Sequence, residues 1–113
     1  MVDFSKIPCI YWDDVTKISH LQRRIIIYSI MYYEMDESCV DDFEYDSISK
    51  QLVELQKKSS FESFRKSTYF YAMHDFDGST GFDIPSRLTS YDKIYLTSLA
   101  KHIYNQWKRK RRD

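Results

Sequence analysis

The stretch YYEMDESCVDDFEYD, residues 32–46, holds seven carboxylates and three tyrosines in fifteen positions, with no basic residue among them. Phenol rings stack on flat cationic ligands, and carboxylates at their rim accept hydrogen bonds from ribose hydroxyls or an amide. On a helix starting near residue 41, Asp42, Tyr45 and Asp46 stand at i, i+3 and i+4, so two acids flank one ring on a single face. Tyr32 and Tyr33 lie near the end of a preceding helix, and a short connection brings them close to that face. The pattern suits binding of a flat, positively charged ring that carries a sugar, and nicotinamide riboside phosphate is a ligand of that kind. A plainer role competes with it. Tyr32 and Tyr45 fall on apolar stripes and can be core tyrosines, while Asp41, Asp42 and Glu44 occupy a first helical turn where the macrodipole favours acids with or without a ligand. Asp46 is the more diagnostic carboxylate.

These residues must be carried by helices. Ile18, Leu21, Ile25, Tyr28, Tyr32 and Met35 recur at spacings of three and four, which predicts a helix over about 13–36 with one apolar stripe. Asp41 with Glu44 three residues later forms a capping box, and Val40 can staple to Tyr45. A second helix then runs over about 41–58 with Tyr45, Ile48, Leu52 and Leu55 on one face, antiparallel to the first across the link DESC. Thr89 with Asp92 starts a third helix, about 89–107, presenting Leu96, Leu99, Ile103 and Trp107. Between residues 61 and 88 the helical period fades. The aromatic run ahead of Asp77-Gly78 predicts an irregular segment or a short β-hairpin. The expected fold is therefore mainly α, in a single domain spanning 1–113 and ending in a basic tail, 108–113.

The acidic and tyrosine pattern also resembles a known family. Tyr-(His or Tyr)-x-x-Asp, a gap of about five residues, then Asp-x-x-Tyr-Asp and a leucine-rich helix mark the N-terminal Ia domain of NAD-dependent bacterial DNA ligases. Here the pattern reads Tyr32, Tyr33, Asp36, Asp42, Tyr45 and Asp46, followed by SISKQLVELQ, and it covers about residues 18–56. The resemblance implies binding of the nicotinamide mononucleotide (NMN) half of NAD, with Tyr32, Tyr33 and Tyr45 against the ring and Asp42 and Asp46 holding carboxamide and ribose. In that family a following domain performs adenylation with the lysine of a Lys-x-Asp-Gly motif. The Asp-Gly of this chain, Asp77-Gly78, has Asp75 where that lysine belongs, so ligase activity is not expected of it. The second half, STYFYAMHDFDGSTGFDIPSRL, is similar to small ligase-like proteins encoded by phages and prophages.

Other features limit the remaining functions. His74, Asp75, Asp77 and Asp83 cluster, but an EF-hand register with Gly78 at the sixth position puts Met73 first and Ile84 twelfth, so no metal is expected. His74, Asp75, Asp77, Ser79 and Thr80 remain candidates for additional ligand contacts; the spacing around Ser79 and Thr80 matches no P-loop. His20 and His102 are isolated, and Cys9 and Cys39 form no paired motif, which fits free thiols in a cytoplasmic protein. The apolar run at Ile25–Met31 is far short of the ~20 residues that span a bilayer. Seventeen basic and seventeen acidic residues cancel, yet Lys108, Arg109, Lys110, Arg111 and Arg112 crowd one end, where they can contact nucleic acid or an acidic partner or complement a helix dipole. Three function classes fit: a non-catalytic binder of NMN, NAD or a related ADP-ribose-type nucleotide; a module docking on a host protein; and a small nucleic-acid binder using the basic end. A monomer or a homodimer is compatible with each.

Overall fold

The computed structural model describes residues 13–35, 42–78 and 83–112, without the side chains of Asp42 and of residues 110–112. Among them are α1 (Asp14–Tyr33), α2 (Asp42–Lys58), α3 (Phe61–Arg65), α4 (Phe70–Met73), α5 (Ile84–Arg87) and α6 (Ser90–Arg112). The fold is mainly α, as the periodicity predicts.

Helix α1 starts close to the expected boundary, where Asp13 caps it: Asp13 Oδ1 accepts from the Thr16 N–H at 2.8 Å. Its centre is rich in isoleucine, a middling helix former whose branched side chain is held by burial more than by propensity. Ile18, Ile25, Ile26, Ile27, Ile30 and Met31 are all buried. The single stripe expected from the sequence is thus too narrow. Leu21, Tyr28 and Met35 are only partly buried, and Tyr32 is 56% exposed. The reason is topological: α1 packs against α2 on one side and α6 on another, with α3 and α5 adding further contacts, so most of its circumference is interior.

Helix α2 runs antiparallel to α1. Arg24 meets Glu44 near the start of α2, whereas Gln22 bonds Gln56 near its end. Ile48 and Leu52 are buried, and Tyr45 and Leu55 pack at the margin of the same core, as the expected face requires. Each such aliphatic side chain contributes about 1.5–3 kcal/mol on burial. The capping residues Asp41 and Val40 lie outside the described residues.

The middle segment corrects the expectation of a β-hairpin. No strand occurs among the described residues; residues 61–65, 70–73 and 84–87 form short helices instead. In a strand Tyr69 and Tyr71 would share a face, but Tyr69 is 6% exposed and Tyr71 40%, while Tyr69, Ala72 and Met73 are buried together at helical spacing. The aromatic run is satisfied by ring contacts rather than strand pairing: Phe64 and Phe61 meet Phe70 edge-on at 4.9 and 6.4 Å. Gly78 does make the anticipated turn, with φ +91° and its α-carbon side packed toward Val53 of α2. Met73 and Ile84, the two failed EF-hand positions, are core residues.

Helix α6 is capped by Thr89, whose Oγ1 accepts from the Asp92 N–H at 3.2 Å. Leu96 and Ala100 seal it onto the core, with Leu99 partly buried beside them. The basic run expected as a tail from residue 108 instead continues α6 to Arg112. Lysine and arginine are good helix formers, and their charge is favourable at a helix C-terminus.

Candidate functional site

The tyrosines and acids of residues 32–46 meet where α1 ends and α2 begins. The last turn of α1 closes with the Glu34 N–H on the Ile30 carbonyl at 2.9 Å. This leaves Tyr32 and Tyr33 projecting beyond the buried part of the helix, 56% and 38% exposed, with their rings edge-to-face at 4.8 Å and 78°. Glu34 also holds Lys93 Nζ at 2.6 Å, which places the start of α6 beside these rings. An exposed pair of this kind is worth at most about 1 kcal/mol, so it positions more than it stabilises.

Tyr45 enters from α2 and is half-buried. Its hydroxyl oxygen is enclosed, as is Ser49 Oγ; among the described residues neither makes a well-aligned hydrogen bond, although the Ser29 and Ser49 hydroxyls are close enough to act on the phenol. Ser29, the other nearby hydroxyl, donates to the Ile25 carbonyl at 2.9 Å. Burial pushes the Tyr45 phenol above its ordinary range; Ser29 and Ser49 work against that shift, while Tyr33 and Asp46 add to it. The charge of Asp46 and the ring of Tyr33 are therefore both felt at Tyr45. The structure brings Tyr32, Tyr33, Tyr45 and Asp46 into one neighbourhood, with Asp46 exposed. Asp42 is the first residue of α2, one turn before Asp46, and Asp36 lies outside the described residues.

The enclosed hydroxyl sets an expected result. Tyr45→Phe removes a buried oxygen that makes no well-aligned hydrogen bond among the described residues, so unfolding free energy should stay level or rise by up to about 1 kcal/mol, measured by urea denaturation. A drop of more than about 1 kcal/mol would show that the hydroxyl is bonded in solution.

Sequence reasoning passed over three neighbours. Ser49 stands four residues after Tyr45 and Ser29 four before Tyr33, so helical spacing alone points to both. Phe43, inside the acidic stretch, is 82% exposed on the first turn of α2.

These positions can be compared with known proteins. Residues 13–61 match the family described as DNA ligase-like, N-terminal NAD+-binding domain. Residues 13–61 are a ligase Ia-like segment. A DNA ligase of Alkaliphilus metalliredigens (strain QYMF) is 38% identical over 47 residues, which is 42% of this chain and 7% of that ligase. No solved structure matches the chain significantly. The Ia-like segment comprises α1 and α2 and stops at the start of α3, so the short helices and α6 lie beyond it.

The remaining candidates lie in that C-terminal part. Asp75 and Asp83 are both held by Arg87, which pairs with Asp83 at 2.7 Å and also reaches the Ala72 carbonyl at 3.4 Å. The Arg87 guanidinium keeps the Asp75 carboxyl below its usual range. His74 ends α4, its ring tilted against Phe70 at 5.6 Å, and Asp77 is exposed beside the Gly78 turn. That turn lies at Val53, eight residues or about 12 Å along α2 from Tyr45. Ser79 and Thr80 fall outside the described residues. No group of three or more His, Cys, Asp or Glu among the described residues is arranged to hold a metal ion. In the basic run, Lys108 Nζ sits 5.9 Å over the Tyr104 ring, and Arg109 is exposed. No helix of the described residues is long and apolar enough to cross a membrane.

Proposed function

We propose that this chain binds a nicotinamide nucleotide, NMN or NAD, at the junction of α1 and α2, and does so without catalysing a reaction on it. The observation that carries the reading is the convergence of Tyr33, Tyr45 and Asp46 within the segment that matches an NAD+-binding domain family. In this reading the exposed rings of Tyr32 and Tyr33 receive the cationic pyridinium face, an arrangement favoured by the quadrupole of a phenol ring. Asp46, with Asp42 one turn earlier, accepts hydrogen bonds from the ribose or the carboxamide. Tyr45 is a wall of the site; its phenol stays protonated at neutral pH because burial raises it further from titration.

The site is open on the side of Tyr32, so affinity should be micromolar or weaker, about −8 kcal/mol at best. A binder of that strength acts as a nucleotide sensor, a sequestering protein or an accessory to a separate enzyme. The test is a calorimetric titration with NMN, NAD and ADP-ribose. Saturable heat with NMN and NAD is expected, and Asp46→Ala should weaken it by about tenfold, the loss of one charge-assisted hydrogen bond. Asp46 is preferable to Tyr45 for this purpose because it is exposed, so its removal leaves the core intact. Flat traces for all three ligands would overturn the reading and leave the exposed Tyr32, Tyr33 and Phe43 as a docking face for a protein.

A further inference from the structure

A cavity lies beside the first half of α1, where the Ia-like segment meets the C-terminal part. Its volume is about 330 Å³, within the range of small-ligand sites. Helix α1 contributes Thr16, Ser19, His20 and Arg23 to it; the opposite wall is Thr68 and Tyr69 ahead of α4, closed by Tyr95 of α6. Its centre on α1 lies some 13 residues from Tyr32 and Tyr33, about 20 Å along the axis.

The wall is built rather than incidental. Ser19 Oγ accepts the Thr68 N–H at 2.9 Å, and Gln22 Oε1 accepts the Tyr69 N–H at 3.2 Å. The Gln22 amide in turn donates to Ser67 Oγ at 3.1 Å and to Gln56 Oε1 at 3.3 Å, inside the core. These bonds hold residues 67–69 against α1 with no ligand required.

Arg23 is the unexplained group. It is partly buried, yet among the described residues it makes no hydrogen bond and no ion pair, unlike Arg24, Arg65 and Arg87. Its charge is felt at Tyr69, whose phenol is pushed up to about 12, chiefly by burial. The nearby acids are engaged elsewhere: Asp13 caps α1 through Thr16, and Asp92 accepts from the Tyr71 hydroxyl. Burial, reinforced by Arg24 and Arg23, holds the His20 imidazole below its ordinary value. What the cavity offers is a guanidinium with no hydrogen bond or ion pair among the described residues, several hydroxyls and the apolar faces of Val15 and two tyrosine rings.

We infer that this cavity binds a phosphate monoester of mononucleotide size, the guanidinium of Arg23 gripping the phosphate and the Tyr95 ring packing on the attached base. Guanidinium recognises phosphate by paired, charge-assisted hydrogen bonds, and hydroxyls complete its acceptor shell. The site is independent of the nicotinamide reading.

The test uses the full chain, with inorganic phosphate, adenosine 5′-monophosphate and adenosine as probes. In amide-resolved NMR, phosphate and the monophosphate should shift the Ser19, Thr68 and Tyr69 amides saturably, with the monophosphate tighter than phosphate and adenosine weakest. Arg23→Gln should weaken the monophosphate at least tenfold while leaving the melting temperature unchanged, since among the described residues Arg23 has no hydrogen bond or ion pair to lose. Asp46→Ala should leave it unaffected. No shift at those amides, equal binding by Arg23→Gln, or loss in Asp46→Ala would each overturn the inference. Binding of NMN that depends on Asp46 but not on Arg23 would support the first site whatever happens at the second.

Discussion

Gln22→Leu should cost about 2–4 kcal/mol of stability, because it strands partners that are themselves buried. Gln22 is fully buried in the middle of α1 and makes three hydrogen bonds, two donated and one accepted. Leucine fills a similar volume, so the loss comes from polarity rather than from a cavity. The Tyr69 N–H loses its acceptor, Gln56 loses a donor, and Ser67 keeps only its bond to the Phe64 carbonyl at 2.6 Å. A buried group left unpaired costs about 1–3 kcal/mol. At roughly 4–8 °C per kcal/mol, thermal unfolding should move down by ten degrees or more. A double-mutant cycle with Gln56→Leu isolates the pair: removing both polar partners should cost less than the sum of the single changes. Hydrogen exchange adds a local readout, since the Tyr69 amide should lose protection in Gln22→Leu. A loss under about 1 kcal/mol, or an unchanged Tyr69 amide, would mean that the network does not hold residues 67–69 to α1.

Leu96→Ala should be comparably severe, at about 2–5 kcal/mol, the usual range for a leucine removed from a core that collapses only partly. Leu96 is fully buried on α6 and lies in the same core as Ile18, Ile25 and Leu52. Leu96 lies outside the Ia-like segment, on a helix that packs directly against α1. Far-UV circular dichroism and tryptophan fluorescence should lose signal in one shared transition, moved to lower urea. If α6 melted first and left a helical pair behind, the C-terminal part would be an appendage and not a component of one cooperative core. The two substitutions test the same seam from opposite sides: one is polar and on α1, the other apolar and on α6.

How far this was legible in the sequence depended on the range of the interactions concerned. The start of α6 was readable because capping is a contact over three residues, Thr89 to Asp92. The buried face of α2 was readable because Ile48 and Leu52 repeat at the helical period. The candidate nucleotide site was readable in outline for the same reason, its residues being spaced along two neighbouring helices. The middle segment was not. Its aromatics suit a strand as well as a helix, and what decided between them was ring packing of Phe61, Phe64 and Phe70 and the burial of Tyr69 and Met73.

By itself, then, the sequence determined the helical class, the antiparallel pair of α1 and α2 and the grouping of tyrosines with acids, all of which follow from local spacing and short links. The tertiary structure alone decided that Tyr32 projects outward, that the Tyr45 hydroxyl is enclosed near Ser29 and Ser49, and that Gln22 lies at the centre of a buried network. It also placed Arg23 in a cavity shared with Thr68 and Tyr95, residues 45 and 72 positions away along the chain. Contacts across such separations leave no periodic trace, because they depend on which faces of α1 the later helices cover, and that is settled by packing all of them at once.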